Sequence, residues 1–319
     1  MDMDKKDKQL LSLLYENSRM SFVQIGKRIS LSSSAVEKRF RKIIETNLIL
    51  LLFADINFSK IGLKSYRLYF KLDSMDEQTE KKILNFFEEY PQTAWGVICE
   101  GEYDVLWRIL GKDERDVEKA SSMIIEKFGE KIIEKTMTCS IHQRYLSWNR
   151  ALDSNRQLSK EIENLDEIGN VEENDLKIIS ALYENSRIST IEISRIVKLT
   201  PEAVKYRIKR LIDRGILKGY TAWFNADQLN MNLYKIMIGF KGLTKQRETE
   251  FINFCIENDN VIYVNKTIGS WDIELDVITE NNQEFHAFTS KIKTRFSDII
   301  GRHVSISIIK ERMLNPLRK

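Results

Sequence analysis

Proline is nearly missing from this 319-residue chain, at 3 residues, and histidine and cysteine also number 3 each. So little proline excludes long proline-rich linkers and points to mostly regular structure. Cys99, Cys139 and Cys255 are odd in number and far apart, which excludes a disulfide framework and a zinc spacing and fits a reducing cytosol. No apolar run approaches the roughly 18–20 residues of a membrane span, so no membrane partner is expected. The opening MDMDKKDKQ is charged and has no apolar segment, so it reads as no secretory signal. Neither sign of charge dominates: 50 basic and 47 acidic residues leave +3, so a nucleic-acid partner must be read from local charge. There is no glycine-rich phosphate loop, no HExxH and no GxSxG nucleophile elbow. What is there is ordinary globular composition, 42% hydrophobic and 30% charged, which excludes a largely disordered chain. The length leaves room for two to four domains.

An internal repeat settles that number at four. LYENSR occurs at Leu14–Arg19 and again at Leu182–Arg187, an offset of 168. The register holds without a gap: Ala35-Val36 falls on Ala203-Val204, Arg39 on Arg207, and Gly101, Tyr103 and Asp104 on Gly269, Trp271 and Asp272. Between Asp7 and Ile49, 15 of 43 positions are identical in the second copy. The chain is therefore a tandem duplication. His142, His286 and His303 do not coincide at that offset, and no catalytic residue, metal ligand or cofactor is expected. The cysteines, in two expected strands and a helix, read as small buried apolar residues.

Each copy begins with about sixty residues that read as three helices. In copy two, Asp175 can cap a helix with Ile178, Ile179 and Leu182 at helical spacing. Ser189 can cap the next, with Glu192 completing a capping box and Ile191, Ile193, Ile196 and Val197 as its buried side. Thr200 caps a third helix with Pro201 at its first position, and Gly215 stops it. Lys218–Phe224 follows as a strand pair or wing. The remaining eighty or so residues of each copy read β-α-β-β-α-β, the ferredoxin-like order. The expected fold class is α+β: two tandem copies of a winged helix-turn-helix head followed by a ferredoxin-like βαββαβ body. The expected boundaries are 1–62 and 173–231 for the heads, 63–146 and 232–319 for the bodies, and 147–172 for a polar connector. That connector reads as a tether with a short helix around Ala151–Leu165, its apolar steps being Leu152, Leu158, Ile162 and Leu165.

A third basic helix after a short turn would lie in the DNA major groove. Ala203, Val204, Ile208 and Leu211 step along its core side. Thr200, Glu202, Lys205, Tyr206, Arg207, Lys209 and Arg210, with Lys218 beyond, are the candidate DNA contacts; in the first head they are Ser33, Ser34, Lys38, Arg39, Arg41 and Lys42. Five basic and two acidic residues between Pro201 and Arg214 suit phosphate contacts with some base reading. The first head continues into Leu48–Phe53, an apolar run where the second has Lys218, Gly219 and Tyr220, so its wing is expected against protein and not on phosphate. In the bodies, the turns Gly101-Glu102-Tyr103-Asp104 and Gly269-Ser270-Trp271-Asp272 offer a bend, an aromatic wall and an acceptor. They read equally as a small amino-acid site or as a structural turn whose Asp caps backbone N–H groups.

The order of elements, the LYENSR head and the G-x-(Y/W)-D turn resemble the Lrp/AsnC (feast/famine) family of transcriptional regulators, over nearly the whole chain and twice. That resemblance implies heads that bind double-stranded DNA and bodies, the RAM or ligand-binding domains, that pair, assemble further and bind an amino acid near the turn. It makes Gly101, Tyr103, Asp104, Gly269, Trp271 and Asp272 the effector candidates. Ordinary members are one copy long and dimerise; here the two bodies of one chain can pair as a pseudo-dimer, with further homo-oligomers beyond it. Two other readings stand beside this one. Some proteins resembling the family decarboxylate siroheme, with a histidine and an arginine in the strand before a YNLWFT-like segment; the matching stretches Trp95–Trp107 and Tyr263–Leu275 hold neither. A ligand sensor whose heads no longer touch DNA is the third reading, favoured by the apolar first wing.

Overall fold

The computed structural model describes residues 3–154, 159–163 and 167–318. The first copy runs α1 (Lys5–Glu16), α2 (Phe22–Ile29), α3 (Ser33–Glu45), β1 (Ile49–Ile56), β2 (Lys64–Leu72), α4 (Glu77–Glu89), β3 (Thr93–Gly101), β4 (Val105–Gly111), α5 (Glu114–Phe128) and β5 (Ile132–Leu146). Between the copies lie α6 (Asn149–Leu152) and β6 (Ser159–Glu163). The second copy runs α7 (Glu173–Glu184), α8 (Thr190–Val197), α9 (Pro201–Asp213), β7 (Leu217–Phe224), β8 (Asn232–Phe240), α10 (Lys245–Ile256), β9 (Val261–Gly269), β10 (Ile273–Thr279), α11 (Asn282–Arg295) and β11 (Ile300–Met313). No described helix is long and apolar enough to cross a membrane. Two compact units result: one holds both heads, within Met1–Ile61 and Glu167–Asn230, and the other both bodies, within Gly62–Leu146 and Met231–Lys319.

In the head unit, local signals set most helix ends. The Ser189 hydroxyl accepts from Glu192 N while the Glu192 carboxylate accepts from Ser189 N, closing the capping box. The Thr200 hydroxyl accepts from Ala203 N at 3.2 Å, and Gly215 turns the chain with φ +66°. Three expectations change. The α7 helix starts earlier, with Glu172 at its N-cap, so Asp175 is its third residue and not its cap. Of the apolar residues expected on the core side of α8, Ile193 and Val197, one turn apart, are buried, whereas Ile191 and Ile196 lie off that line and are exposed. The strand after each third helix pairs with its counterpart from the other head: β1 and β7 run antiparallel, with Phe53 opposite Thr221 and Ile56 opposite Leu217. The apolar β1 is thus satisfied by protein, as Leu48–Phe53 suggested.

The LYENSR repeat has its explanation in the same contact. Ser18 and Ser186 hydroxyls meet at 2.6 Å. Arg19 donates to the carbonyls of Ser186 (2.5 Å) and Ile188 (3.0 Å), and Arg187 donates to those of Ser18 (2.6 Å) and Met20 (3.0 Å). Each arginine crosses to the other head in the same way, so the two heads are related by a local two-fold. Arg187 also lies over the rings of Phe22 (4.7 Å) and Phe40 (5.2 Å), a cation–π contact that adds to the hydrogen bonds.

In the body unit, strand order β2-β4-β3-β11-β8-β10-β9-β5 returns to β2, so eight antiparallel strands close on themselves, with only the end of β5 running past β2. The joins between the bodies are β3 with β11 and β5 with β9. Side chains alternate along each strand. In β2, Tyr66, Leu68 and Phe70 face the core under α4 and α5, together with Phe86, Phe87 and Trp107. In β8, Tyr234, Ile236 and Ile238 face the matching core with Phe251, Phe288 and Phe296. The other face of every strand turns into the barrel. The connector differs from its helical reading: α6 is a single turn, and β6 pairs with β5, His142 opposite Glu163, as an added strand. Leu158 and Leu165 lie outside the described residues.

The barrel interior is polar. Glu274, without exposed surface, accepts from Thr138 (2.6 Å) and Asn265 (3.0 Å) and lies 3.2 Å from the Arg67 guanidinium and 4.0 Å from the Lys235 ammonium. Arg67 also binds the Tyr263 hydroxyl at 2.7 Å and the Ser140 hydroxyl, and Lys235 is bound to Asp276. Burial alone would raise the Glu274 pKa, but Arg67 and Lys235 outweigh it and hold the carboxyl below its ordinary 4.5. A carboxyl depressed on folding contributes stability that is complete above its unfolded value and is lost as pH falls through the folded value. Glu274→Gln is therefore expected to lower the unfolding free energy at neutral pH by about 3–5 kcal/mol, because it leaves buried cations without a partner. The variant should also lose stability less steeply than wild type on acidification below about pH 4.5. Urea unfolding across that range checks both.

Candidate nucleic-acid interface and effector site

The third helix of each head presents a solvent face rich in cations, and the structure divides those cations into two sets. On α9, Val204 and Leu211 are buried while Ala203 and Ile208 are half-buried, so the core side falls where spacing put it. Glu202, Lys205 and Lys209 are exposed, and Tyr206 is 68% exposed. Lys209 pairs with Asp213 at 2.8 Å in the open, a contact worth little in water. Lys218 is exposed at the start of β7. Thr200 is the helix cap. Arg207 and Arg210 are different: Arg207 binds Asp175 and Glu172, each at 2.9 Å, and Arg210 binds Asp175 at 2.7 Å and Glu172 at 3.1 Å. Hydrogen bonds from Arg207 and Arg210 hold Glu172 below the usual carboxylate range. Burial works against the charge on Asp175, and the same arginines overcome it.

The first head repeats this division. Ser33, Ser34, Lys38, Arg41 and Lys42 are exposed on α3, and Arg41 pairs with Glu37 at 2.6 Å. Arg39 binds both Asp4 and Asp7 at 2.7 Å. Asp4 and Asp7 stand at the repeat positions of Glu172 and Asp175. Spacing along the third helix alone could not reveal these acids; their signal was the acidic pair repeated at the start of each head.

The two body turns are held firmly. Gly101 (φ +129°) and Gly269 (φ +128°) adopt a conformation that other residues rarely reach. A Cβ on Gly269 would stand 2.4 Å from the Met137 carbonyl oxygen. Asp104 accepts from Leu72 N at 2.8 Å and from the Lys71 ammonium at 3.0 Å, and Asp272 accepts from Phe240 N at 2.7 Å. Both acids therefore bind backbone. Tyr103 is buried, lies tilted against Tyr69 with ring centres 5.2 Å apart and accepts from the Thr136 hydroxyl at 3.2 Å. Trp271 is buried under the Arg302 guanidinium at 4.2 Å.

Beside the first turn, and not legible in the sequence, is a cavity of about 370 Å³ that Thr136 helps to line. Leu68, Val117, Ile125 and Met137 supply apolar walls, with Glu118 and Lys135 at its polar side. Tyr66 also lines it; its buried hydroxyl has no hydrogen-bond partner among the described residues and is pushed by burial up to about 12. At the equivalent place in the second body Phe285, at the repeat position of Val117, stacks on Tyr234 at 3.9 Å, and the Tyr234 hydroxyl is tied to Asn282.

Comparison with known proteins gives these features a setting. Residues 3–43 match the AsnC-type helix-turn-helix domain, and residues 171–218 match a winged helix-turn-helix DNA-binding domain. An HTH-type transcriptional regulator of Pyrococcus furiosus is 30% identical over 143 residues, which is 44% of this chain and 95% of that protein. The chain belongs to the Lrp/AsnC family. A leucine-responsive regulatory protein of Haemophilus influenzae is 35% identical over 82 residues, 25% of this chain and 49% of that one. Among solved structures, the siroheme decarboxylase NirDL in complex with an iron-uroporphyrin III analogue shares the two-copy fold, with a TM-score of 0.64 over 98% of this chain and 95% of that one, at 12% identity. For an Lrp/AsnC protein the duplicated architecture therefore has a solved precedent, and the likeness is one of fold.

Because Asp104 and Asp272 hold backbone N–H groups, Asp104→Ala and Asp272→Ala are each expected to lower the unfolding free energy by about 1–3 kcal/mol. Denaturant melts matching wild type would instead leave both carboxylates free for a ligand.

Proposed function

We propose that this protein is a DNA-binding transcriptional regulator in which both heads of one chain read an asymmetric site, with half-sites about one helical turn apart. The observation that carries the reading is the reciprocal pairing of two helix-turn-helix heads, each keeping exposed cations on its third helix. In the second head Lys205, Tyr206, Lys209 and Lys218 are the contacts proposed, with Glu202 and the Thr200 cap beside them. In the first they are Ser33, Ser34, Lys38, Arg41 and Lys42. Arg39, Arg207 and Arg210 reach phosphate only by sharing their carboxylates, so their contribution is proposed to be the smaller. The paired bodies stand in for the dimer of single-copy relatives and further association proceeds through them.

We also infer that the first body binds an amino acid or a similar zwitterion in the cavity beside Tyr103. A depression with apolar walls, a carboxylate and an ammonium suits a molecule with both charges and a short apolar side chain. Gly101, Tyr103 and Asp104 then shape the site from behind. Gly269, Trp271 and Asp272 hold the same turn in the second body, where Phe285 stacks on Tyr234.

Replacing Lys205 and Lys209 together by Ala is expected to weaken binding to all sequences and to make the slope of log K against log salt shallower by about 1.8. An unchanged slope in a filter-binding or anisotropy titration would place the wrong helix face in the groove. Val117→Phe copies the second body and is expected to weaken effector binding at least about tenfold in a calorimetric amino-acid panel, with the melt preserved. Undiminished binding would locate the effector elsewhere.

A further inference from the structure

The two bodies are built from the same strands in the same register, yet their inward side chains differ in charge. At the offset of 168, Arg67 of β2 corresponds to Lys235 of β8, Leu106 of β4 to Glu274 of β10, and Arg108 to Asp276. Arg67, Lys235 and Glu274 are fully buried, and Arg108 and Asp276 nearly so. In the pairing observed, the barrel encloses three cations and two carboxylates, and Glu274 of the second body serves Arg67 of the first. Two first bodies would enclose four arginines and, at these positions, no carboxylate. Two second bodies would enclose two lysines and four carboxylates. Buried charge without a partner is strongly unfavourable, while the unlike pair satisfies most of its own.

We propose that this buried charge pattern makes each body accept only the unlike body, so that the barrel rejects like pairing with a second copy of the chain. The hydrogen bonds of the LYENSR repeat do not make this choice. Ser18 and Ser186, and Arg19 and Arg187, are the same residues at repeat positions and bind each other reciprocally, so two like heads would make the same bonds. Trp95 Nε1 of the first body, donating to Glu311 of the second at 2.8 Å, and the Lys235 ammonium over the Trp95 ring at 5.3 Å also join the two bodies. The consequence is a fixed pair of unlike heads. This goes beyond the DNA-binding reading and rests only on the paired bodies.

The test uses the full-length chain with a protease site inserted between Asp153 and Ser159, cleaved after folding, unfolded in urea and reassembled by dialysis. Native mass spectrometry then counts the pairs of halves. The expected result is unlike pairs, with like pairs fewer than about one in ten; like pairs at about half of all assemblies, the random share, would overturn the proposal. The same chain with Leu106→Glu and Arg108→Asp gives the first body the charges of the second, and is expected to move toward the random share. Reassembly of that variant into unlike pairs alone would also overturn it, by placing the selectivity outside these charges. Should the variant not fold, the wild-type arm decides alone. Since masses are read and not DNA, a failed DNA-binding experiment leaves this result standing, and the reverse.

Discussion

Glu274 has no exposed surface, and a carboxylate in that position must be neutralised by its neighbours or protonated. Arg67 reaches it from the first body at 3.2 Å, and Thr138, also from the first body, donates to it at 2.6 Å. Its hold therefore depends on both bodies being present and closed. Much else follows from that closure. Eight strands return to their start, so within the barrel each is paired on both sides. The inward faces can be polar because the outward faces carry the apolar cores under α4, α5, α10 and α11.

The heads use charge in the opposite sense. There the buried and half-buried ion pairs lock the third helix onto the first, through Asp4 and Asp7 in one head and Glu172 and Asp175 in the other. An arginine held at 2.7 Å by a carboxylate is a strut, whereas Lys38, Lys42, Lys205 and Lys218 extend into solvent with only water to displace. A helix with many basic residues thus leaves only some of them open to solvent. Which ones stay open depends on acids about thirty residues away in sequence.

Local signals were readable where a single turn of chain decides the outcome. The Ser189–Glu192 box, the Thr200-Pro201 start, the Gly215 stop and the β10 strand at Ile273–Thr279 stand where spacing put them. The misses arose where a partner from elsewhere decided. Asp175 reads as a cap because it precedes an apolar run, but Arg207 and Arg210 engage it inside the helix. Ile191 and Ile196 read as core because isoleucine is apolar, but an eight-residue helix buries one narrow line. Ile162, at a helical step of the connector, stands in β6 because the end of β5 runs past the residues that pair with β2 and bonds a further strand there. The 370 Å³ cavity depends on Val117 standing where its counterpart is Phe285, a difference that acquires meaning only when both are seen against a tyrosine.

By itself, the sequence determined the duplication, the order of elements within each copy, the helix-turn-helix frame and the turn glycines. These follow from identity at a fixed offset, from periodicity and from backbone sterics, all of which act within a few residues. Only the tertiary structure decided that the head strands pair with each other, that the bodies close one barrel around five charged side chains, and which cations remain free. Those outcomes depend on electrostatics and hydrogen bonding between residues as far apart as Arg67 and Glu274, and no local pattern records who the partner will be.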